Sequence, residues 1–571
     1  MSILDWIILF GTLIGIVSYG VWKSRGAQDI EGYLMGDKSM RWYTIGLSIM
    51  ATQASAITFL STPGQAYTDG MRFIQFYFGL PIAMIIISVF FLPIYYRLKV
   101  YTAYEYLESR FDLKTRMLAA LIFLIQRGLA AGITIYAPSI ILSALLGWNL
   151  RLTSLIIGLL VIIYTVSGGT KAVTQTQTQQ MGVMMGGMIV AGVLVIFSLP
   201  QNIGLGEALH VAGKMGRLNV VNFEFDLSDR YNFWSGITGA VFLFLSYFGT
   251  DQSQVQRYLT GRSLSESRLG LMMNGLLKVP MQFIILLIGA LVFVFYQFHE
   301  PPVFFNKVQK EKLEASVYAD ELGKLEDEHT TLFNQKKAYI GQLVEGVREN
   351  NEDKIDMAKT AALAIEDQTE VIRDKVKALV KKNDEKAETN DKDYIFMNFV
   401  MNTLPVGVVG LLFAVIFSAA MSSTSSELNA LGSTTTIDFY KRKFRQSASD
   451  SHYLNSSKAF TLAWGIIAII FASTLHLFEN LIQAVNLIGS LFYPIVLGIF
   501  VVAFFFKYVK SNAVFIGALI AQACVIAIHY LNVYEIAGRL TMGFLWYNAV
   551  GCIMVIVYSL IIQFILGKKS A

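Results

Sequence analysis

The chain has 571 residues, of which 54% are hydrophobic and only 15% are charged, and its mean hydropathy is +0.52. A water-soluble domain this apolar would not stay dispersed, so the composition excludes soluble proteins and indicates an all-α polytopic membrane protein. The chain has only two cysteines, Cys524 and Cys552, each within an apolar run. This placement excludes a disulfide framework and a cysteine-ligated metal site.

Thirteen apolar runs are long enough to cross about 30 Å of hydrocarbon. The loops between them alternate between Lys/Arg-rich and Lys/Arg-poor, and the basic set is expected to be cytoplasmic. We therefore predict a multi-pass protein of the cell (inner or plasma) membrane, with its N-terminus outside and its C-terminus in the cytoplasm. The predicted spans are residues 3–22, 43–62, 73–97, 117–147, 152–167, 180–199, 232–250, 268–297, 398–424, 458–477, 481–506, 512–531 and 542–566.

One segment belongs to a different physical class, because residues 307–393 hold 37 of the 87 Asp, Glu, Lys and Arg residues of the chain. Apolar residues recur at helical spacing on both sides of RENNED (348–353), which predicts an antiparallel helical hairpin outside the cytoplasm. The hairpin is either a solvated helix pair or a docking site for a protein partner. The predicted organisation is a transmembrane part at 1–302, the insertion at 303–393 and a second transmembrane part at 394–571.

Two segments rich in Ser and Thr, 51–64 and 418–436, are predicted to break apolar helices at membrane depth. Unwound backbone is tolerated in lipid only where it lines a cavity or a ligand, and such breaks are typical of transporter binding sites. Freed carbonyls and hydroxyls form a hard, neutral oxygen shell that suits Na⁺. The alternative is close helix packing, with serines bonded to their own helix. The grouped candidates for a sodium site are Ala51, Ala54, Ala419, Ser422 and Ser423.

Charged residues inside the spans are functional candidates, because burying a charge in the bilayer is expensive. Arg127 has three possible roles from the sequence. It pairs with a carboxylate of the substrate, it snorkels to the cytoplasmic interface, or it pairs with another group of the protein. Lys278 is a similar candidate for a substrate or gating role. Asp251 and Arg257, at the cytoplasmic end of the seventh span, are predicted inner-gate or ion-pair residues.

No pattern in the sequence indicates covalent chemistry. The six histidines have no metal-ligand spacing, and no serine lies in a nucleophile elbow. We therefore predict that the protein is not an enzyme and has no nucleic-acid partner.

Five separated motifs resemble the sodium/solute symporter family, in the same order along the chain. They are ASAITFLSTPGQAY (54–67), IYAPSIILSALLG (135–147), YTVSGGTKAV (164–173), DQSQVQRYLTGRSLSES (251–267) and SSELNALGSTTTIDFYKR (425–442). The resemblance covers nearly the whole chain except residues 303–393. It implies the LeuT-like five-plus-five inverted repeat, with one extra helix at the N-terminal end and two at the C-terminal end.

The resemblance also implies roles for particular residues. The family's principal sodium site uses two carbonyls of the first core helix with one carbonyl and two hydroxyls of the eighth, which fall on the five candidates already grouped. Solute contacts fall on Gln53, Ser55 and Thr58, with Phe73 and Gln75 nearby. Many members carry an aspartate where this chain has the neutral Gln177, so we expect one Na⁺ rather than two.

The predicted function is therefore a symporter that couples inward movement of Na⁺ to uptake of a small polar solute. The hydroxyl-bearing and amide-bearing candidates suit a sugar, an acidic sugar such as sialic acid, or a monocarboxylate. The motifs resemble the sialic acid, monocarboxylate and vitamin branch more than the glucose branch. The alternative is a sensor that kept the transporter fold and binds a solute without moving it.

Overall fold

The structure is a computed structural model that describes residues 1–24, 30–385, 387–474, 480–533 and 541–568. Within these residues it is helical, with one isolated bridge between Met40 and Gly261 in place of any sheet. Residues 475–477 of the predicted tenth span and the predicted cytoplasmic end of the chain at 569–571 lie outside the described part.

The helices are numbered in chain order. Those before the charged segment are α1 (Ile3–Ser24), α2 (Ile30–Met35), α3 (Trp42–Gln53), α4 (Ala56–Asp69), α5 (Gly79–Ile86), α6 (Leu92–Leu98), α7 (Glu105–Arg110), α8 (Leu113–Leu146), α9 (Leu150–Phe197), α10 (Leu205–Lys214), α11 (Phe233–Ile237), α12 (Gly239–Gly249), α13 (Gln252–Leu259) and α14 (Leu264–Phe298). The charged segment holds α15 (Lys307–Glu314), α16 (Ala319–Glu349) and α17 (Glu352–Asn383). Those after it are α18 (Lys392–Thr403), α19 (Val408–Thr434), α20 (Asp450–Thr474), α21 (Leu481–Phe505), α22 (Ser511–Val533) and α23 (Trp546–Lys568).

Nine helical segments of the described chain are long and apolar enough to cross a membrane, or ten if the bent pair α12–α13 counts as one span. The nine overlap ten of the thirteen predicted spans, because Ala56–Leu98 overlaps both 43–62 and 73–97. The other three predicted spans fall on α1, on the part of α9 before its kink at Gly169, and on α11 and α12, which form the first arm of the bent pair. The number thirteen therefore stays a prediction.

Two core helices are broken. Helix α3 ends at Gln53 and α4 begins at Ala56, within the segment predicted to unwind. The second break lies between α12 and α13, which meet at 58°. The prediction of a break at 418–436 is wrong, because α19 is continuous to Thr434, and the hydroxyls of Ser423, Ser425 and Ser426 bond to carbonyls three or four residues earlier. These three serines are thus satisfied without unwinding the helix.

The two long helices of the charged segment pack antiparallel. Leu325 of α16 lies in one apolar cluster with Ile372 and Val376 of α17. Ion pairs fasten this hairpin to the loop that contains α10. They join Arg348 to Glu207 (2.6 Å), Lys214 to Glu352 (2.9 Å) and Arg217 to Glu366 (2.6 Å). We call the face of the helix bundle that carries the hairpin the insertion side.

Helix α4 is held between α14 and α18 by close backbone approaches. A Cβ atom on Gly289 would lie 2.3 Å from the Pro63 carbonyl oxygen, and one on Gly64 would lie 2.1 Å from the Lys392 carbonyl oxygen. Only glycine fits at such distances. The Pro63-Gly64 pair therefore packs α4 against its neighbours, and the unwound residues lie before it.

Candidate functional site

The break between α3 and α4 frees a backbone acceptor. In a continuous helix the Ala51 carbonyl would accept from the N–H of Ser55. Here Ala54 leaves the helical conformation (φ −82°, ψ 78°), and the Ser55 N–H donates to the Gln53 carbonyl instead (3.1 Å). The Ala51 carbonyl is consequently left to a partner outside its own helix.

That partner is Ser422 of α19, whose hydroxyl donates to the Ala51 carbonyl oxygen at 2.9 Å. One residue later, the Ser423 hydroxyl donates to the Ala419 carbonyl oxygen at 2.9 Å. Ala51, Ala54 and Ala419 are fully buried, as are the two serines to within 1%. Four of the five predicted sodium ligands are thus joined in two hydrogen-bonded pairs, and Ala54 lies at the break itself.

Gln177 of α9 lies beside these residues and ties three helices together. Its side-chain oxygen accepts from the Ser48 hydroxyl of α3. Its amide nitrogen donates to Thr52 Oγ1 (3.0 Å), to the Ser422 carbonyl (3.1 Å) and to Ser426 Oγ (2.6 Å). The N–H groups of the neutral Gln177 amide therefore point at the oxygens of Thr52, Ser422 and Ser426. A carboxylate in the place of Gln177 would attract a cation to these oxygens, whereas an N–H donor repels it.

A cavity of about 90 Å³ lies next to the break. Gln53, Ser55 and Thr58 line it, as the resemblance implied, and Arg127 and Ser423 reach it as well. The other walls are largely aromatic, from Phe76 and Tyr77 in the segment between α4 and α5 and from the helix residues Phe244, Tyr247 and Tyr493. An apolar wall with a few convergent polar groups is typical of a small-solute site.

Arg127 is already paired within the protein. It forms ion pairs with Asp251 and with Glu427 (3.0 Å), it donates to the Tyr493 hydroxyl, and its guanidinium carbon lies 5.2 Å from the centre of the Tyr247 ring. Pairing with protein was one of the alternatives left open by the sequence. In this conformation two carboxylates compete with any solute carboxylate for the guanidinium.

The two predicted gating residues differ in their surroundings. Asp251 precedes α13 and holds its first turn by accepting from the Ser253 N–H (2.8 Å), while its other oxygen binds Arg127 and the Tyr493 hydroxyl (3.0 Å). It therefore links the bent pair α12–α13 to α8 and α21. Arg257 is fully buried and donates to Gln256 (3.0 Å), away from the cavity lining.

Three of the predicted solute contacts lie outside the cavity lining. Phe73 stacks on Phe76 and packs edge-on to Tyr231. Gln75 donates to the Tyr231 carbonyl (2.7 Å) and accepts from the Asn222 N–H (2.9 Å), which fixes the loop before α11. Lys278 is buried in α14, and its Nζ has no hydrogen-bond partner among the described residues. Direct contact of these three with solute has no support from this geometry.

A polar cluster closes the cavity on the insertion side. Gln65, near the end of α4, accepts from Asn480 and from Gln483 (3.2 Å) at the start of α21. Asp393 of α18 accepts from the Leu481 N–H (3.1 Å). On α8, Tyr136 reaches Glu388 on the insertion side (3.5 Å), and Arg127 lies nine residues earlier, about 13.5 Å along the helix. Arg127 lines the cavity, whereas Gln65 lies outside its lining, towards the insertion side.

Sequence reasoning missed the carboxylate of Glu427. Glu427 lies four residues after the candidate Ser423. A charged residue at membrane depth is a functional candidate, and this signal could have identified it. Tyr493 and Asn486 of α21 were missed too, because nothing in their local pattern distinguishes a cavity wall from ordinary packing.

Comparisons with known proteins assign the chain to a family. The model of the sodium:solute symporter family matches residues 33–312 and 378–521, which is well over half of the chain. The chain belongs to the sodium:solute symporter family. The prediction made from the five motifs is confirmed. The family comprises membrane proteins that carry out sodium-coupled symport. Since the family is one of transporters, it also agrees with the prediction that the chain is not an enzyme.

Relatives carry several kinds of solute. The sodium-coupled monocarboxylate transporter 1 of Mus musculus is 26% identical over 519 residues, which are 90% of this chain and 71% of the relative. The sodium/sialic acid symporter SiaT of Proteus mirabilis is 24% identical over 566 residues, which are 97% of this chain and 93% of the relative. A solved structure of a Na⁺-coupled sialic acid symporter in a substrate-bound outward-open state, with 23% identity, covers 99% of this chain and 98% of its own at a TM-score of 0.74. That likeness shows a shared fold.

Proposed function

We propose that this symporter imports a small polar organic solute together with one Na⁺ by alternating access. The observation that carries the proposal is the Ala51 carbonyl, which the helix break frees and which meets the Ser422 hydroxyl at 2.9 Å. In the proposal Na⁺ takes the place of these hydrogen bonds and is held by the carbonyls of Ala51, Ala54 and Ala419 and the hydroxyls of Ser422 and Ser423. These are hard, neutral oxygen ligands, which suit Na⁺.

The proposed stoichiometry is a single Na⁺, since the Gln177 amide donates towards Thr52 and Ser426 rather than accepting. The solute would bind in the adjoining cavity, against Gln53, Ser55 and Thr58. Binding of Na⁺ at the break would order the same stretch of backbone that lines this cavity. That shared stretch is the proposed physical basis of coupling.

Two clusters are proposed as the gates. Arg127, Asp251 and Tyr493 would close one end of the cavity, and Gln65 with Asn480 would close the end on the insertion side. Na⁺ and solute drive the cycle only through their different affinities for the two open states. A membrane potential of 100 mV supplies about 2.3 kcal/mol for one Na⁺ that enters.

The proposed orientation places the hairpin at 303–393 outside the cytoplasm, with thirteen spans and an external N-terminus. It is supported by the Lys/Arg-rich loops, which all fall on the face opposite the hairpin when the spans are counted. Cysteines introduced singly at Met357 of α17 and at Phe444 test this, because both side chains are highly exposed. An impermeant thiol reagent added outside intact cells should label Met357→Cys and leave Phe444→Cys unlabelled, and the reverse would contradict the orientation.

Transport itself is tested with purified protein in proteoliposomes. Solutes are first screened for thermal stabilisation in Na⁺ and in K⁺, and those that need Na⁺ are then followed as labelled solute inside the vesicles. We expect accumulation above the external concentration under an inward Na⁺ gradient and none under a K⁺ gradient. Sodium-dependent binding without accumulation would favour the sensor alternative and contradict symport.

A further inference from the structure

The Glu427 carboxylate has an unused acceptor at the cavity. Its Oε1 accepts from Arg127 (3.0 Å), while its Oε2 has no partner among the described residues. The residue is only 5% exposed and lines the cavity one helical turn beyond Ser423. Thr134, the hydroxyl beside it, donates to the Ala130 carbonyl of its own helix (3.0 Å). A buried acceptor is normally satisfied, so one that faces a ligand cavity indicates a donor on the ligand.

The charges around the cavity favour an uncharged solute. Arg127 is shared by Asp251 and Glu427, so with both carboxylates ionised this buried cluster carries one negative charge in excess. One Na⁺ at the proposed sodium site would balance it. An anionic solute would then bring an uncompensated charge into a region of low dielectric, where charges are tolerated only when paired.

Three further polar atoms of cavity-lining residues lack partners within the described part of the chain. Gln53 Oε1 is a second acceptor, and Asn486 Nδ2 and Arg127 Nε are donors. The walls between them include the rings of Phe76 and Phe244. Acceptors and donors set between aromatic faces match a compact solute that carries several hydroxyls, since each hydroxyl can both donate and accept.

On the basis of the proposed function, we propose that Glu427 is a specificity-determining residue that accepts a hydroxyl of a neutral polyhydroxylated solute and excludes carboxylates. Arg127 is then a positioning residue for Glu427 and Asp251, and does not serve as an anion receptor. This excludes pairing with a carboxylate of the substrate, which was one of the three roles that the sequence left open for Arg127.

The test uses full-length protein in proteoliposomes and four probes, of which galactose and myo-inositol are neutral and polyhydroxylated and lactate and N-acetylneuraminate are carboxylates. For the wild type we expect Na⁺-dependent uptake of at least one neutral probe and of neither carboxylate. Glu427→Gln keeps the size and one acceptor but removes the charge, so we expect at least a ten-fold higher KM for the neutral probe. The matched control is Glu108→Gln, which removes a carboxylate paired with Arg116 (2.8 Å) outside the cavity and should keep the wild-type KM.

Sodium-dependent uptake of lactate or N-acetylneuraminate by the wild type would overturn the inference while leaving sodium symport in place. An unchanged KM in Glu427→Gln would overturn it too. Should Glu427→Gln fail to fold, the wild-type panel alone still decides between neutral and acidic solutes. Uptake of a probe that is equal in Na⁺ and K⁺ would instead contradict the proposed function itself.

Discussion

Replacing Ser423 by alanine removes one proposed sodium ligand while leaving its helix intact. The Ser423 hydroxyl donates to the Ala419 carbonyl (2.9 Å), and in the continuous helix α19 that carbonyl also accepts a backbone N–H. No buried acceptor is therefore left without a donor, and we expect the free energy of unfolding without Na⁺ to change by about 1 kcal/mol or less.

The effect on sodium affinity should be much larger. A hydroxyl that binds a charged group contributes about 1.5–3 kcal/mol. This corresponds to an apparent Kd for Na⁺ that is about 10 to 150 times higher in Ser423→Ala. Titration of Na⁺ against K⁺ at constant ionic strength, followed by the thermal unfolding midpoint of purified protein, measures this Kd without knowledge of the solute.

The matched control is Ser433→Ala. Ser433 is equally buried on the same helix, and its hydroxyl donates to the Ala430 carbonyl (3.0 Å), so it differs from Ser423 mainly in its distance along the chain from the proposed site. We expect its Kd for Na⁺ to match the wild type. An equal Kd in all three proteins, or an equal loss in both variants, would refute the assignment of Ser423.

Three other predictions follow from the remaining contacts. Arg127→Gln leaves two buried carboxylates without their shared cation, so we expect the free energy of unfolding to fall by about 3–5 kcal/mol, and an unchanged unfolding midpoint would contradict the ion-pair cluster. Gln177 should limit the protein to one Na⁺, so uptake should rise with Na⁺ at a Hill coefficient of about 1, and a value near 2 would count against the single site. Burial, with Arg373 and Lys336 nearby, lowers the pKa of His329 from 6.5 to about 4 in spite of Glu300. The folded hairpin thus favours the neutral form of His329, and its stability should be full above pH 6.5 and fall as the pH drops towards 4. Protease cleavage within 303–393 should therefore increase as the pH falls over that range, and it should increase less in His329→Gln. Equal cleavage profiles of the wild type and the variant would contradict this role of His329.

The sequence was sufficient for the features that local chemistry decides. Small and hydroxyl-bearing residues around Ala54 predicted the first helix break, and the structure has it there. The same reasoning failed at 418–436, because a serine-rich segment has the same composition whether its hydroxyls bond to carbonyls of a continuous helix or replace backbone hydrogen bonds at a break. The break between α12 and α13 was missed because its residues, near Asp251, are held by contacts with α8 and α21 that only the folded chain brings together.

Charged residues were the least predictable part of the site. Arg127 was identified as costly at membrane depth, but its partners lie 124 and 300 residues away along the chain. Neither Asp251 nor Glu427 could be assigned to it from spacing alone. Gln75 likewise has the chemistry of a solute contact, and its use in holding the 222–231 loop is a consequence of tertiary packing.

The central claim is that Na⁺ and solute cross together through the site at the Ala54 break. The most direct measurement is the reciprocal flux: Na⁺ entry into proteoliposomes that have equal Na⁺ on both sides and an inward gradient of a solute found in the screen. Symport predicts that the solute gradient alone drives Na⁺ inward, in a ratio of about one Na⁺ per solute, and that Ser423→Ala lowers this flux at subsaturating Na⁺. Solute entry that leaves the Na⁺ flux unchanged would contradict the account.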